Sequence, residues 1–229
     1  MPFKEGDFLE IEYTVWDASE NTMLSTTEEK VAKDNNIFNE KVKYGPVLVI
    51  LGTNGAVKGL DREIRTMKDG ERKKFTLKPD DAFGPRYDDL VRVMPMSEFR
   101  KHDMDPYPGM QVNLDNFTAV VKSVNSGRVV VDANHPYAGK EMTYEVRVIR
   151  QLINDKDKAQ ALAASNGVVP SAINVSADRV EVSFDNKVQK NADYFVGKTS
   201  FVASVFANMK GVKKIDVKEE YLRPEEEKK

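Results

Sequence analysis

Residues 45–84 read GPVLVILGTNGAVKGLDREIRTMKDGERKKFTLKPDDAFG. Pro46-Val47-Leu48-Val49-Ile50-Leu51 is an apolar run of strand length between Gly45 and Gly52. The period then changes. Across Ala56 to Met67 the apolar residues Val57, Leu60, Ile64 and Met67 fall at helical spacing, and Asp69-Gly70 closes the segment with a turn. Glu71 to Leu77 reverts to strand and is stopped before Pro79. A strand, a short helix and a strand are thus packed into forty residues, with a Gly-bounded loop at each end. Upstream, Asp7 to Val15 alternates apolar and polar residues, and Asp17-Ala18-Ser19-Glu20-Asn21 is turn chemistry, so the next run is expected to pair back as a hairpin. Glu28 to Asn39 reads as loop or short helix. Downstream, Glu141 to Gln151 has the same texture, with Met142, Tyr144, Val146 and Val148 alternating with polar partners.

The chain of 229 residues carries 35 basic and 37 acidic side chains, for a net charge of -2. That balance argues against nucleic acid, whose binders carry a basic excess. There is no Cys, which removes disulfides, thiol catalysis and Cys-ligated zinc. Only His102 and His135 are present, and no metal-binding His pair is spaced for a helix face. Neither a metal nor any other cofactor is expected. The start, Met1-Pro2-Phe3-Lys4-Glu5-Gly6-Asp7, places charges where a signal peptide needs an apolar core, and no run reaches bilayer length; the sequence reads as cytosolic, with no membrane partner. Nucleophile elbows and phosphate-binding glycine loops are missing. Asp80-Asp81 and Asp88-Asp89 read as turn and cap residues, and His135, in Asn134-His135-Pro136, reads as a hydrogen-bonded structural histidine.

The texture changes twice. Between Arg86 and Pro136 lie Met94, Met96, Met104 and Met110, four of the nine methionines, among short strands such as Arg128-Val129-Val130-Val131. Because strand alternation resumes at Glu141, this stretch reads as an insertion in a loop of the first domain. From Asn154 a third region follows the order α-β-β-α-β: a helix over Lys156 to Ser165, a hairpin of Ala172 to Ser176 with Arg179 to Phe184, a helix over Asn191 to Met209, and a strand from Lys213 to Tyr221.

Leu51-Gly52, Val57-Lys58-Gly59-Leu60-Asp61, Met67-Lys68-Asp69-Gly70-Glu71 and Pro79-Asp80-Asp81-Ala82-Phe83-Gly84 occur in that order. The set resembles the FKBP-type peptidyl-prolyl cis/trans isomerases. The segment Asp132-Ala133-Asn134-His135-Pro136-Tyr137-Ala138-Gly139-Lys140 resembles the re-entry signature of the SlyD-like subgroup, which carries an inserted chaperone module, the insert-in-flap domain. The third region is similar to the C-terminal domain of the long archaeal FKBP-type chaperones. The implied fold is α+β: an antiparallel half-barrel sheet wrapped on a helix over residues 1–86 and 137–153, a small β-rich insert over 87–136, and a C-terminal α-β-β-α-β domain over 154–229.

The resemblance also implies a site. Tyr13 matches the tyrosine of the first core strand, Leu24 an aromatic wall position, and Ser25 a position usually held by aspartate. Val47 takes another position that is usually aromatic. Ala56 and Val57 fall where backbone groups bind substrate, with the Val57 N–H as donor. Leu60 takes the floor position, Phe83 replaces the tyrosine of an Ala-Tyr-Gly turn, and Tyr144 matches an aromatic of the closing strand. Three departures stand out: Ser25 supplies no carboxylate, Phe83 lacks a hydroxyl, and Val47 and Leu60 are smaller than the expected aromatics. A chain without Cys and with two His suits this reaction, because rotating a prolyl amide needs no nucleophile.

In the insert, Met94, Met96, Phe99, Met104, Tyr107, Met110 and Phe117 are candidates for a surface that binds unfolded chains, methionine being flexible and polarizable. Some of them are expected to pack the module's own small core. The implied function is that of an isomerase and folding chaperone acting on unfolded, proline-containing polypeptides. The alternative is a holdase whose pocket retains little catalysis, which Ser25, Val47 and Phe83 favour. In the last helix a second apolar face is expected around Phe195, Val196, Phe201 and Val205, and the resemblance implies a homodimer through this region. The ending Arg223-Pro224-Glu225-Glu226-Glu227-Lys228-Lys229 lacks the metal-binding tail of many relatives, so no nickel role is implied.

Overall fold

The computed structural model describes residues 2–53, 55–114, 117–185, 187 and 191–222. They fall into two compact units, one of residues 1–16, 23–75 and 144–229, the other of residues 17–22 and 76–143. The fold is mixed α+β with mainly antiparallel sheets and few helices. Among the described residues, no helix is long and apolar enough to cross a membrane.

A five-stranded sheet is built from β1 (Phe8–Asp17), β2 (Thr22–Thr26), β3 (Val47–Ile50), β4 (Arg72–Leu77) and β9 (Met142–Leu152), in the order β2-β1-β9-β4 with β3 also paired to β1. The β1–β3 pairing is antiparallel, with Phe8 opposite Ile50 and Ile11 opposite Val47. Opposed residues share a face, so Leu9, Ile11, Val47 and Val49 point one way and Phe8, Glu10, Leu48 and Ile50 the other. Helix α1 (Glu29–Asp34) lies between β2 and β3.

Helix α2 (Lys58–Arg65) is shorter than the 56–67 expected from its period. Val57 is its N-cap, in extended conformation, which excludes Ala56 and Val57 from the helix. At the other end the Met67 N–H donates to the Ile64 carbonyl, tightening the final turn. Asp61 anchors the entry: its carboxylate accepts from the Gly52 N–H at 2.8 Å and from Arg65 Nε at 2.8 Å. Gly52 has φ +82° and no room for a side chain, since a Cβ would meet Glu5 Cγ at 2.4 Å.

In the second unit, β5 (Val91–Pro95), β6 (Gln111–Leu114), β7 (Phe117–Asn125) and β8 (Arg128–Asp132) form a sheet in the order β5-β8-β7-β6, with α3 (Met96–Arg100) after β5. Phe99, Val112, Ala119, Val121, Val129 and Val131 make its core.

The C-terminal part of the first unit contains α4 (Asp155–Ser165), β10 (Ala172–Ser176), β11 (Arg179–Phe184), α5 (Ala192–Asn208) and β12 (Lys214–Glu219). Both helices start on capping asparagines, Asn154 accepting from the Lys156 N–H and Asn191 from the Tyr194 N–H. The β10–β11 hairpin turns at Ala177-Asp178, and β12 pairs parallel to β11. Its core takes in Phe184, Phe201 and Val205 together with Phe8 and Leu152 of the first sheet, while Leu48 and Ile50 pack against it. The expected second apolar face of α5 is therefore smaller than the sequence suggested. Phe201 and Val205 are core residues, and only Phe195 and Val196 of that set stay exposed. The terminal segment from Arg223 lies outside the described residues.

Candidate functional site

The inner face of the five-stranded sheet gathers an aromatic cluster. Tyr13 on β1 and Tyr144 on β9 have ring centroids 6.5 Å apart, and Phe75 on β4 stacks on Tyr144 at 6.1 Å. Tyr13 is fixed through its backbone: its N–H donates to Thr27 Oγ1 at 2.9 Å, and its carbonyl accepts from the Thr27 N–H at 2.9 Å. Thr14 and Thr26 exchange a further hydroxyl bond at 2.8 Å. Tyr144 is 5 % exposed. Burial and the neighbouring Tyr13 push its phenol up to about 12, so it stays neutral at physiological pH and cannot act as a base.

The other sequence-derived positions of this unit sit as follows. Leu24 and Ser25 are half-buried on β2, and Ala56 and Val57 are half-buried just before α2. The Val57 carbonyl accepts from the Asp61 N–H in the first turn. Leu60, 7 % exposed, lies on the buried side of α2 with Ile64. Val47 is half-buried and also borders a crevice of about 350 Å³ with Glu10, Tyr44, Leu48 and, from α4, Ala161 and Ala164.

Phe83 belongs to the second unit, in a turn after the one-turn 3-10 helix Pro79–Asp81. Its ring lies parallel to His135, with centroids 4.5 Å apart and planes inclined by 5°. Tyr137 meets Phe83 edge-on at 5.3 Å. Sequence reasoning missed Phe75 and Tyr137. Phe75 carried a usable signal, an apolar residue two before Leu77 in a charged strand; Tyr137 carried none beyond its place beside His135. His135 is hydrogen-bonded as expected, Nδ1 accepting from the Tyr137 N–H at 3.2 Å.

In the insert the candidates divide. Phe99, 1 % exposed, is core and cannot line a binding surface. Met94, Met96, Met104 and Met110 are half-buried against that core, and Tyr107 is exposed. The Phe117 side chain lies outside the described residues.

A family described as FKBP-type peptidyl-prolyl cis-trans isomerase matches residues 2–99, and one described as FKBP26, IF domain matches residues 92–137. The short-type peptidyl-prolyl cis-trans isomerase of Methanocaldococcus jannaschii is 29% identical over 145 residues, which cover 63% of this chain and 91% of the relative. An FKBP-type isomerase SlyD of Vibrio cholerae is 29% identical over 133 residues, 56% of this chain and 66% of the relative. The FKBP-type 16 kDa isomerase of Escherichia coli is 28% identical over 109 residues, 45% of this chain and 72% of the relative. Residues 2–99 are thus similar to an FKBP-type peptidyl-prolyl cis-trans isomerase domain, and the relatives carry isomerase names of that type. Residues 92–137 are in turn similar to the FKBP26 IF domain.

Proposed function

We propose that this isomerase is also a folding chaperone, in which the insert captures unfolded chains loosely and the apolar pocket turns their X-Pro bonds. The observation that carries the reading is the aromatic cluster of Tyr13, Phe75 and Tyr144, in which Tyr144 is buried and the other two rings are half-buried. Rotation about a prolyl amide faces a barrier of roughly 20 kcal/mol because it breaks resonance. Water favours the polar planar amide, so an apolar wall that removes water favours the twisted one. Tyr13, Leu24, Val47, Leu60 and Tyr144 supply that wall. Ala56 and Val57 offer backbone groups, and Ser25 offers a hydroxyl at the rim. By the family resemblance Phe83, a residue of the second unit, is itself one that meets substrate. No group with a catalytic proton is required.

Met94, Met96, Met104, Met110 and Tyr107 are the capture surface. The four methionines are partly buried against the Phe99 core and Tyr107 is exposed, a combination that suits varied apolar partners. Two weak sites on one chain raise each other's effective concentration for a client. The test measures the full chain and a Met94→Ser/Met110→Ser/Tyr107→Ser variant in a protease-free prolyl peptide assay and in proline-limited refolding of a protein. The variant should keep the peptide rate and lose most of the refolding rate. Equal refolding rates would remove the capture role. An intact chain that leaves the peptide at its spontaneous rate would favour a holdase.

Phe195, Val196 and Phe206 are exposed on α5 and offer a face for a second copy. Light scattering of the intact protein, with Val196→Glu as the control, checks this homodimer.

A further inference from the structure

We propose that His135 is a positioning residue of the isomerase reaction, holding the Phe83 ring in the orientation in which it meets the substrate. The inference rests on the reading of Phe83 as a substrate contact and adds a residue that does not itself need to touch the peptide.

Phe83 has no hydroxyl and so no polar anchor of its own; only packing can select its rotamer. That packing comes from the His135 face, parallel at 4.5 Å, and from the Tyr137 edge at 5.3 Å. His135 is in turn held by two constraints. Tyr137 meets it edge-on at 5.6 Å, and the Tyr137 N–H donates to its Nδ1 at 3.2 Å. That hydrogen bond turns the Nδ1 edge of the ring towards the Tyr137 backbone.

The backbones under the two rings are tied together on both sides. The Gly139 N–H donates to the Gly84 carbonyl at 2.8 Å, and the Gly84 N–H to the Pro79 carbonyl at 2.7 Å. One residue before His135, Asn134 accepts from the Tyr87 N–H at 2.9 Å and donates to the Tyr87 carbonyl at 2.8 Å. Asp132, 3 % exposed, accepts from Arg86 at 2.7 Å and from the Asn134 N–H at 3.0 Å. The stretch 132–139 is thus stitched to 84–87 before and after the stack, and the His135 ring is set rather than merely adjacent. A small displacement of a contacting group is enough to slow a reaction that depends on orientation.

The test uses the full chain and a short prolyl peptide, with urea unfolding as the fold control. His135→Ala should lower kcat/KM by about fivefold, the scale of one lost ring pair. His135→Phe keeps a ring on Phe83 and should recover most of that loss. His135→Asn keeps a hydrogen-bond acceptor without a ring and should behave as His135→Ala; it stands in if the alanine variant is unfolded. In a Phe83→Ala background, His135→Ala should cost nothing further. A loss of the same size in that background, an unchanged His135→Ala rate, or a phenylalanine variant as slow as the alanine one would overturn the positioning role. A Phe83→Ala variant as fast as the unaltered chain would instead overturn the reading of Phe83 itself.

Discussion

Lys140 donates to the carboxylate of Asp17, 123 residues earlier in the chain, and the Asp17 side chain is 0 % exposed. Ser19 adds its backbone N–H at 3.0 Å and its hydroxyl at 2.6 Å. Lys140 first, then Ser19, hold the Asp17 carboxyl well below the usual carboxylate range. A depressed folded-state pKa gives stability that is complete above the ordinary aspartate value of about 3.9 and is lost as pH falls through the lower folded value. Asp17→Asn should therefore cost about 1.5–3 kcal/mol at neutral pH, the range for a hydrogen bond to a charged group. Urea unfolding at pH 7 and in acid checks it: the gap between the two proteins should narrow below about pH 4. A gap independent of pH would mean that the carboxylate charge contributes nothing.

Leu152 ends β9 yet is buried with Leu162, Phe184 and Val205 of the C-terminal region, and Phe8 lies in the same core with Lys158 of α4 5.7 Å above its ring. The isomerase strands and the C-terminal elements therefore share one apolar core. Leu152→Ala should lower stability by about 2–5 kcal/mol, the range for emptying a leucine site. Stopping the chain after Ile153 should uncover Phe8, Leu48 and Ile50 and raise binding of an apolar dye. A truncated chain as stable and as silent to the dye as the full one would contradict a shared core.

The strand, helix and strand within residues 45–84 were legible because the period of apolar residues changes twice within forty positions and glycines mark the joints. The hairpin at Ala177-Asp178 was legible because two runs of strand period flank a short polar turn. Much of the lost information is about faces. The alternation of β1 shows that Phe8 and Leu9 point opposite ways, but not that Phe8 joins the core of the C-terminal elements. Likewise β12 reads as a strand, while its parallel pairing to β11 depends on the crossover through α5. At the site, Tyr13 and Tyr144 could be named from their strands. Phe75 was hidden among Arg72, Lys73 and Lys74, and the support of Phe83 by His135 and Tyr137 needed two segments brought together by Asp132 and Asn134.

Gly197 sits inside α5, where alanine would ordinarily be better by about 1 kcal/mol. Here a Cβ would lie 2.4 Å from the Asn166 carbonyl oxygen and 3.0 Å from Val168 Cγ1. Asn166 cannot retreat freely, since its N–H donates to the Leu162 carbonyl at 3.2 Å and its side-chain amide to the same oxygen at 2.8 Å. Close approach therefore outweighs propensity, and Gly197→Ala should destabilise the protein in thermal unfolding. A variant of higher Tm would show that α5 has slack at this point.

The last prediction concerns Tyr144, whose hydroxyl the proposed mechanism does not use. Its ring is pressed between Tyr13 at 6.5 Å and Phe75 at 6.1 Å, and burial pushes its pKa up to about 12. Tyr144→Phe keeps the ring and should leave kcat/KM within about twofold, whereas Tyr144→Ala opens a cavity that should cost about 3–5 kcal/mol of stability, as for other buried aromatics. The titration gives an independent check. A raised folded-state pKa means stability that is complete below the ordinary tyrosine value of about 10 and is lost as pH rises through the folded value. Ultraviolet titration of the folded protein should show a phenol ionising near 12, and Tyr144→Phe should lack it. If Tyr144→Phe instead loses activity as far as Tyr144→Ala does, the hydroxyl takes part in the reaction, and desolvation by an apolar wall is not a sufficient account of catalysis.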